Sequence, residues 1–156
     1  MEPGCMGHLI WLLMGVDKLT RTIDTALKAM VEDGELSIRI KGSCMAPLIE
    51  DGALVSLEKQ AHYLPGDVIV KRCSNDEQLV AHRLIGCYPR KGLLYFVTQA
   101  DSADVPDRGV KRSRIIGRIA GGECANSVTS VPVGIRIKAT GQFISWVFRR
   151  LSHRRK

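Results

Sequence analysis

The sequence predicts a mainly β, antiparallel domain with one amphipathic helix in front of it and a short C-terminal helix behind, and three observations carry that class. Apolar residues recur at helical spacing up to Asp33-Gly34 and then switch to a period of two. Further on, short apolar runs are separated by turn signals about every ten residues, which suits antiparallel strands and not βαβ units. The composition, 156 residues with 45% hydrophobic and 25% charged, is that of one ordinary globular domain. A disordered tail protein, a collagen-like rod and a two-domain enzyme are not expected.

The first element is a helix over Asp17 to Glu32. Leu19, Ile23, Leu27 and Met30 with Val31 line one face, and Asp33-Gly34 stops it. Ahead of it, Leu9 to Val16 is apolar but far short of the roughly 20 residues a spanning helix needs. With Glu2 the only charged side chain before it and no cleavage site after it, the run lacks the marks of a secretory signal. It reads as a packed or membrane-skimming first turn of the helix.

Leu36, Ile38 and Ile40 alternate with Ser37, Arg39 and Lys41, a half-buried strand that runs straight into Gly42-Ser43-Cys44-Met45. Further strands are expected at Ala53 to Leu57, Asp67 to Arg72, Leu79 to Gly86, Leu93 to Thr98 and Ile115 to Ala120. Gly121 to Pro132 is small, polar and turn-rich and closes the core as a loop. The organisation is therefore an N-terminal helical segment (1–34), a β domain (35–122), and a loop with a basic amphipathic tail (123–156). In that tail Phe143, Ile144, Trp146, Val147, Phe148 and Leu151 precede a basic run. Either one face sits among lipid headgroups with arginines on anionic lipid, or a C-terminal helix packs on the domain and the tail is solvated.

The formal charge of +7 comes from 23 Lys+Arg against 16 Asp+Glu, and five of those bases lie in the last eight residues, leaving 18 bases against 16 acids elsewhere. Basicity belongs to a terminus, and no nucleic-acid motif accompanies it, so nucleic acid is not an expected partner. The five cysteines (Cys5, Cys44, Cys73, Cys87, Cys124) include no CxxC pair and no zinc spacing, so free thiols and no metal are expected. With a hairpin turn near Ser74 to Gln78, Cys73 would face about Leu79 and Cys87 about Gly66.

Chemistry points to Cys44. It sits at a strand-to-turn junction between Gly42 and Pro47, where Met45-Ala46-Pro47 would start a helical turn whose free N–H groups lower a thiol's pKa and hold an oxyanion. Alone, a cysteine is more simply a small buried hydrophobe. His82, between Val80 and Leu84 on one side of a strand, is the candidate partner; His8, His62 and His153 have weaker claims. Asp101, Asp104 and Asp107 offer an acid to orient the imidazole, against the plain reading of a solvated turn. Arg83, on the opposite face from His82, reads as a surface or supporting residue.

The order of short motifs changes the weighing. Gly42-Ser43-Cys44-Met45-Ala46-Pro47, Asp51-Gly52, Pro65-Gly66-Asp67-Val68-Ile69-Val70, Ala81-His82-Arg83-Leu84-Ile85-Gly86, Thr98-Gln99-Ala100-Asp101, Asp107-Arg108-Gly109 and Ile116-Gly117-Arg118 follow one another. This series resembles the signal-peptidase and SOS-repressor-type serine peptidase clan, from about Ile38 to Ala120. The likeness is nearest to the archaeal and endoplasmic-reticulum signal peptidases, which pair a serine nucleophile with a histidine. It implies a signal-peptidase-like β fold with Cys44 at the nucleophile's position, His82 as general base and Asp107 as the orienting acid. Asp101 matches the aspartate of that branch's Thr-Lys-Gly-Asp motif and shapes the site. Gly42, Ser43 and Met45 would support substrate or oxyanion.

Three departures accompany the likeness: cysteine stands in place of serine, Gly42 supplies no hydroxyl for the oxyanion, and no spanning helix anchors the domain. The expected activity is a Cys-His-Asp endopeptidase acting on a peptide or protein segment presented along a strand edge, without a cofactor. The alternatives are an inactive module that keeps the fold for binding or regulation, and a serine-type peptidase carrying a serine-to-cysteine change. The expected location is cytoplasmic or peripheral to a membrane.

Overall fold

The computed structural model describes residues 6–34, 36–73, 78–123 and 128–152, with side chains from Leu19 onward. Helix α1 (Met6–Glu32) is followed by β1 (Ser37–Arg39), β2 (Leu54–Glu58), β3 (Val68–Arg72), β4 (Leu79–Arg90), β5 (Leu93–Gln99), β6 (Val110–Lys111), β7 (Ile115–Gly122) and helix α2 (Val133–Ser152). The seven strands form one antiparallel sheet in the order β1, β2, β7, β3, β4, β5, β6, so β1 and β6 are its edges. The molecule is mainly β with a helix at each end, as the sequence predicts. Among the described residues no helix is long and apolar enough to cross a membrane.

Burial on both faces of β3 explains why Val68 to Arg72 reads as a continuous run and not as an alternation. Val68 and Val70 face a large core with Ala81, Ile116, Val55, Met45, Ile49 and Val31 of α1, while Ile69 packs with Leu84, Phe96 and Ile115 on the other side. Two charged residues share this buried strand. Arg72 pairs with Asp24 of α1 at 2.5 Å, which fastens the helix to the sheet, and Lys71 turns toward the site described below.

Several boundaries differ from the sequence reading. Helix α1 begins at Met6, so Leu9 to Val16 is continuous with it; only Leu27 and Val31 of its apolar stripe reach the core, while Leu19, Ile23 and Met30 are exposed. Helix α1 meets the sheet by its last turns, through Leu27 and Val31. Strand β4 runs to Arg90, since β5 pairs with it from Arg83 onward after β3 has left. β6 was not foreseen: two residues carry no periodicity. The register of β3 with β4 sets the Cys73 N–H on the Gln78 carbonyl, one residue from the expected partner, and Cys87 lies opposite Phe96. Cys44, Cys73 and Cys87 are free thiols; Cys5 and Cys124 lie outside the described residues.

The tail is the largest surprise in length. Helix α2 spans 20 residues, and its inner face joins the domain: Ala139, Phe143 and Trp146 pack on Ile85, Val97 and Tyr88. Gly86 makes this possible, because a Cβ there would collide with the Phe143 ring. At the start of α2, Arg136 donates to the Pro65 carbonyl at 2.9 Å and pairs with buried Asp67 at 3.2 Å. Asp67 in turn caps its own turn by accepting the Leu64 N–H at 2.8 Å.

Candidate active site

Cys44 follows β1 in a chain of turns, not in the short helical turn the sequence suggests. Gly42 has φ +90°, a left-handed conformation that glycine adopts without steric cost, and its N–H donates to Asp51 Oδ1 at 2.7 Å. That amide is therefore committed to the turn, not offered to an oxyanion. Ala46 N–H returns to Ser43 O at 3.1 Å and Ile49 N–H to Met45 O at 3.0 Å, with a cis peptide between Ala46 and Pro47. Met45 is fully buried in the main core, so its side chain anchors the turn and does not line a substrate surface. Ser43 is exposed.

The thiol is half-buried. Its hydrogen-bond partner is the Ala81 carbonyl, at 3.8 Å from Sγ, on the strand residue immediately before His82. Among the described residues no hydrogen bond joins the thiol to the imidazole, so the direct pair expected from the sequence is not formed in this conformation. Burial pushes the thiol's pKa up, the N–H groups of Cys44 and Met45 pull it down, and the charges of Asp107 and Asp101 push it up again; the net is upward. The expectation of an amide-lowered thiol fails because desolvation and two carboxylates outweigh the two amides.

The imidazole is held firmly. His82 Nδ1 lies 2.6 Å from Asp107 Oδ2, and the same oxygen accepts the Thr98 hydroxyl at 2.6 Å and the Lys71 ammonium at 2.9 Å. Burial alone would raise the Asp107 pKa, but the hydrogen bonds from His82, Thr98 and Lys71 overcome it and hold the carboxyl well below the usual range. An ionised carboxylate only accepts, so Nδ1 carries a proton, and Nε2 is the ring nitrogen that Asp107 leaves uncommitted. The Asp107 N–H donates to the Thr98 carbonyl at 2.7 Å, fixing the acid to the end of β5.

The loop after β5 gathers the remaining pieces. Asp101 receives a bidentate pair from Arg83, at 2.8 and 2.6 Å, and Arg83 also donates to the Gly66 carbonyl. Arg83 is thus a buried brace and not a surface residue. Ser102 donates from both its N–H and its hydroxyl to the Cys44 carbonyl, each at 3.2 Å, which ties the cysteine turn to the acid loop. Asp104 is exposed and takes no part in this network. His62 is exposed as well, while His8 and His153 lie outside the described side chains.

Three members escape a reading of the sequence. Lys71, with its side chain 4% exposed, sits in a run that looks like an ordinary strand end, and only the register with β4 brings it beside His82. A lysine two residues beyond Ile69 on a strand buried on both faces is the signal that was available. Thr98 and Ser102 carry no signal of their own. A cleft of about 460 Å³ borders the cysteine turn at Ala46 and Pro47 and runs between Asp101 and Asp104 on one wall and Lys138 and Gln142 of α2 on the other. Among the described residues no group of three or more His, Cys, Asp and Glu side chains is placed to hold a metal ion.

No protein-family model matches the chain, and no curated protein matches its sequence.

Proposed function

We propose that the chain is a thiol endopeptidase resembling the signal-peptidase clan, with Cys44 as nucleophile, His82 as general base and Asp107 as the group that orients the imidazole. One observation carries the reading: a histidine locked to a partly buried carboxylate follows, in the chain, the residue whose carbonyl holds the thiol. In this reading Sγ leaves the Ala81 carbonyl and engages Nε2 for the reaction. The thiol is protonated at neutral pH, so Nε2 takes its proton as sulfur attacks the scissile carbonyl. The oxyanion is met by the amides of Cys44 and Met45. Collapse breaks the C–N bond, the imidazolium protonates the leaving amine, and water then hydrolyses the thioester with His82 again as base. No step calls for a cofactor. β1 is an edge strand leading directly into Cys44, and a substrate in extended form can pair along it.

A second reading, a binding or regulatory module with an inert cysteine, draws support from the raised thiol and its resting contact with a carbonyl. The two separate cleanly. The full chain is incubated with a library of peptides and new termini are read by mass spectrometry. The peptidase reading expects new termini that vanish in Cys44→Ala and His82→Ala and fall by about a hundredfold or more in Asp107→Asn. If the intact protein creates none, or if Cys44→Ala creates as many, the module stands. A serine-type enzyme altered at its nucleophile would show itself by much faster cleavage in Cys44→Ser.

A further inference from the structure

The outer face of α2 is apolar where a solvated helix would be polar, and we infer that it is a docking surface for an anionic lipid bilayer, the helix lying in the plane of the headgroups. Packing on β4 uses Ala139, Phe143 and Trp146. At about 100° per residue, Val133, Ile137, Ile144, Phe148 and Leu151 fall within an arc of about 60° on the far side from that packed face. All five are exposed, Ile137 and Phe148 at 68% each. The core does not require them, since the inner face alone seats the helix.

Charge selects the occupant. Residues 124–156 contain seven Lys and Arg and no Asp or Glu, so the whole formal excess of +7 lies in this segment. On the helix, Lys138 and Arg149 flank the apolar stripe on one side by the same angular count, and exposed Arg150 falls at the angle of the packed face near the end of α2. Arg150 lies over the Trp146 ring at 5.2 Å. Arg154, Arg155 and Lys156 follow α2 in the sequence. An apolar stripe bordered by bases is the arrangement that sinks into the acyl boundary while cations meet lipid phosphates, and the two signals together give a stable hold where either alone is marginal. A protein partner would require matching acids around an apolar groove; the bilayer supplies both properties in one surface. The inference does not rest on peptidase activity.

The test is co-sedimentation of the full chain with vesicles of phosphatidylcholine alone and of phosphatidylcholine mixed with phosphatidylglycerol. Binding is expected to the mixed vesicles only and to be lost at high salt. Arg149→Gln with Arg150→Gln should weaken it about twenty-five-fold, about fivefold for each charge. Ile144→Ser with Phe148→Ser should weaken it tenfold or more, with an unchanged thermal midpoint because neither side chain belongs to the core. Absence of binding to mixed vesicles, equal binding to neutral ones, or affinity unmoved by both double variants overturns the inference. So does a dimer that forms without lipid and dissolves in the Ile144→Ser, Phe148→Ser variant.

Discussion

Asp107 Oδ2 concentrates the chemistry of this molecule on one atom, with an imidazole, a hydroxyl and an ammonium converging on it. Because the ammonium is buried, removing the carboxylate strands a positive charge in the interior. Asp107→Asn is expected to lower unfolding stability by about 3 kcal/mol, measured by urea denaturation at neutral pH. The pH sign follows from the lowered pKa: the contribution is fully present above the unfolded value of about 4 and is lost as pH falls through the folded value. The acid-side loss of stability should therefore be smaller in Asp107→Asn than in the natural chain. At the thiol, the upward shift predicts that iodoacetamide labels Cys44 more slowly than exposed Cys87 at neutral pH, with the gap narrowing as pH rises. Faster labelling of Cys44 would contradict the balance of burial and carboxylates described for it.

Among the elements, the seat of α2 on β4 depends on an absence of side chain. Phe143 occupies the space above Gly86, and the ring then stacks with Trp146 at 5.7 Å while Tyr88 closes the other side at 5.6 Å. Gly86→Ala should cost about 1–3 kcal/mol by overpacking and reduce the aromatic near-ultraviolet circular dichroism. The same substitution in a Phe143→Ala background should cost little, since the colliding ring has gone; an additive pair would place the fault in the strand backbone instead. The strand patterns were readable because β1 alternates and the later strands are bounded by Gly and Pro turns. The extent of β4 and α2 was not, since each continues only because another element lies against it. β5 sustains β4 past Gly86, and the Ile85 and Val97 surface sustains α2. The loop after β5 shows the same limit in the site: its three acids look alike in the sequence, and the fold gives Asp107 to His82, Asp101 to Arg83 and Asp104 to solvent.

For the whole molecule, charge and topology divide the labour. The sheet places its edge β1 beside the cysteine turn, while the segment from 124 onward carries the excess positive charge, and α2 in that segment turns Lys138 and Gln142 toward the cleft at the turn. Cys44 belongs neither to the exposed apolar stripe of α2 nor to its bases, so Cys44→Ala should bind mixed vesicles as the natural chain does.

By itself the sequence determined the class of fold, the positions of most strands, and a short set of candidate site residues, with three acids left to choose from. Those follow from periodicity, turn chemistry and the order of motifs, all of which are local or nearly so. What the tertiary structure alone decided is how distant groups meet. Register brought buried Lys71 to the carboxylate, and the turn after β1 set the thiol against a carbonyl instead of the imidazole. Packing fixed which face of α2 was consumed by the core and which was left bare. The physical reason is that burial and cross-strand register are properties of pairs of elements, and no single stretch of chain encodes its partner's distance.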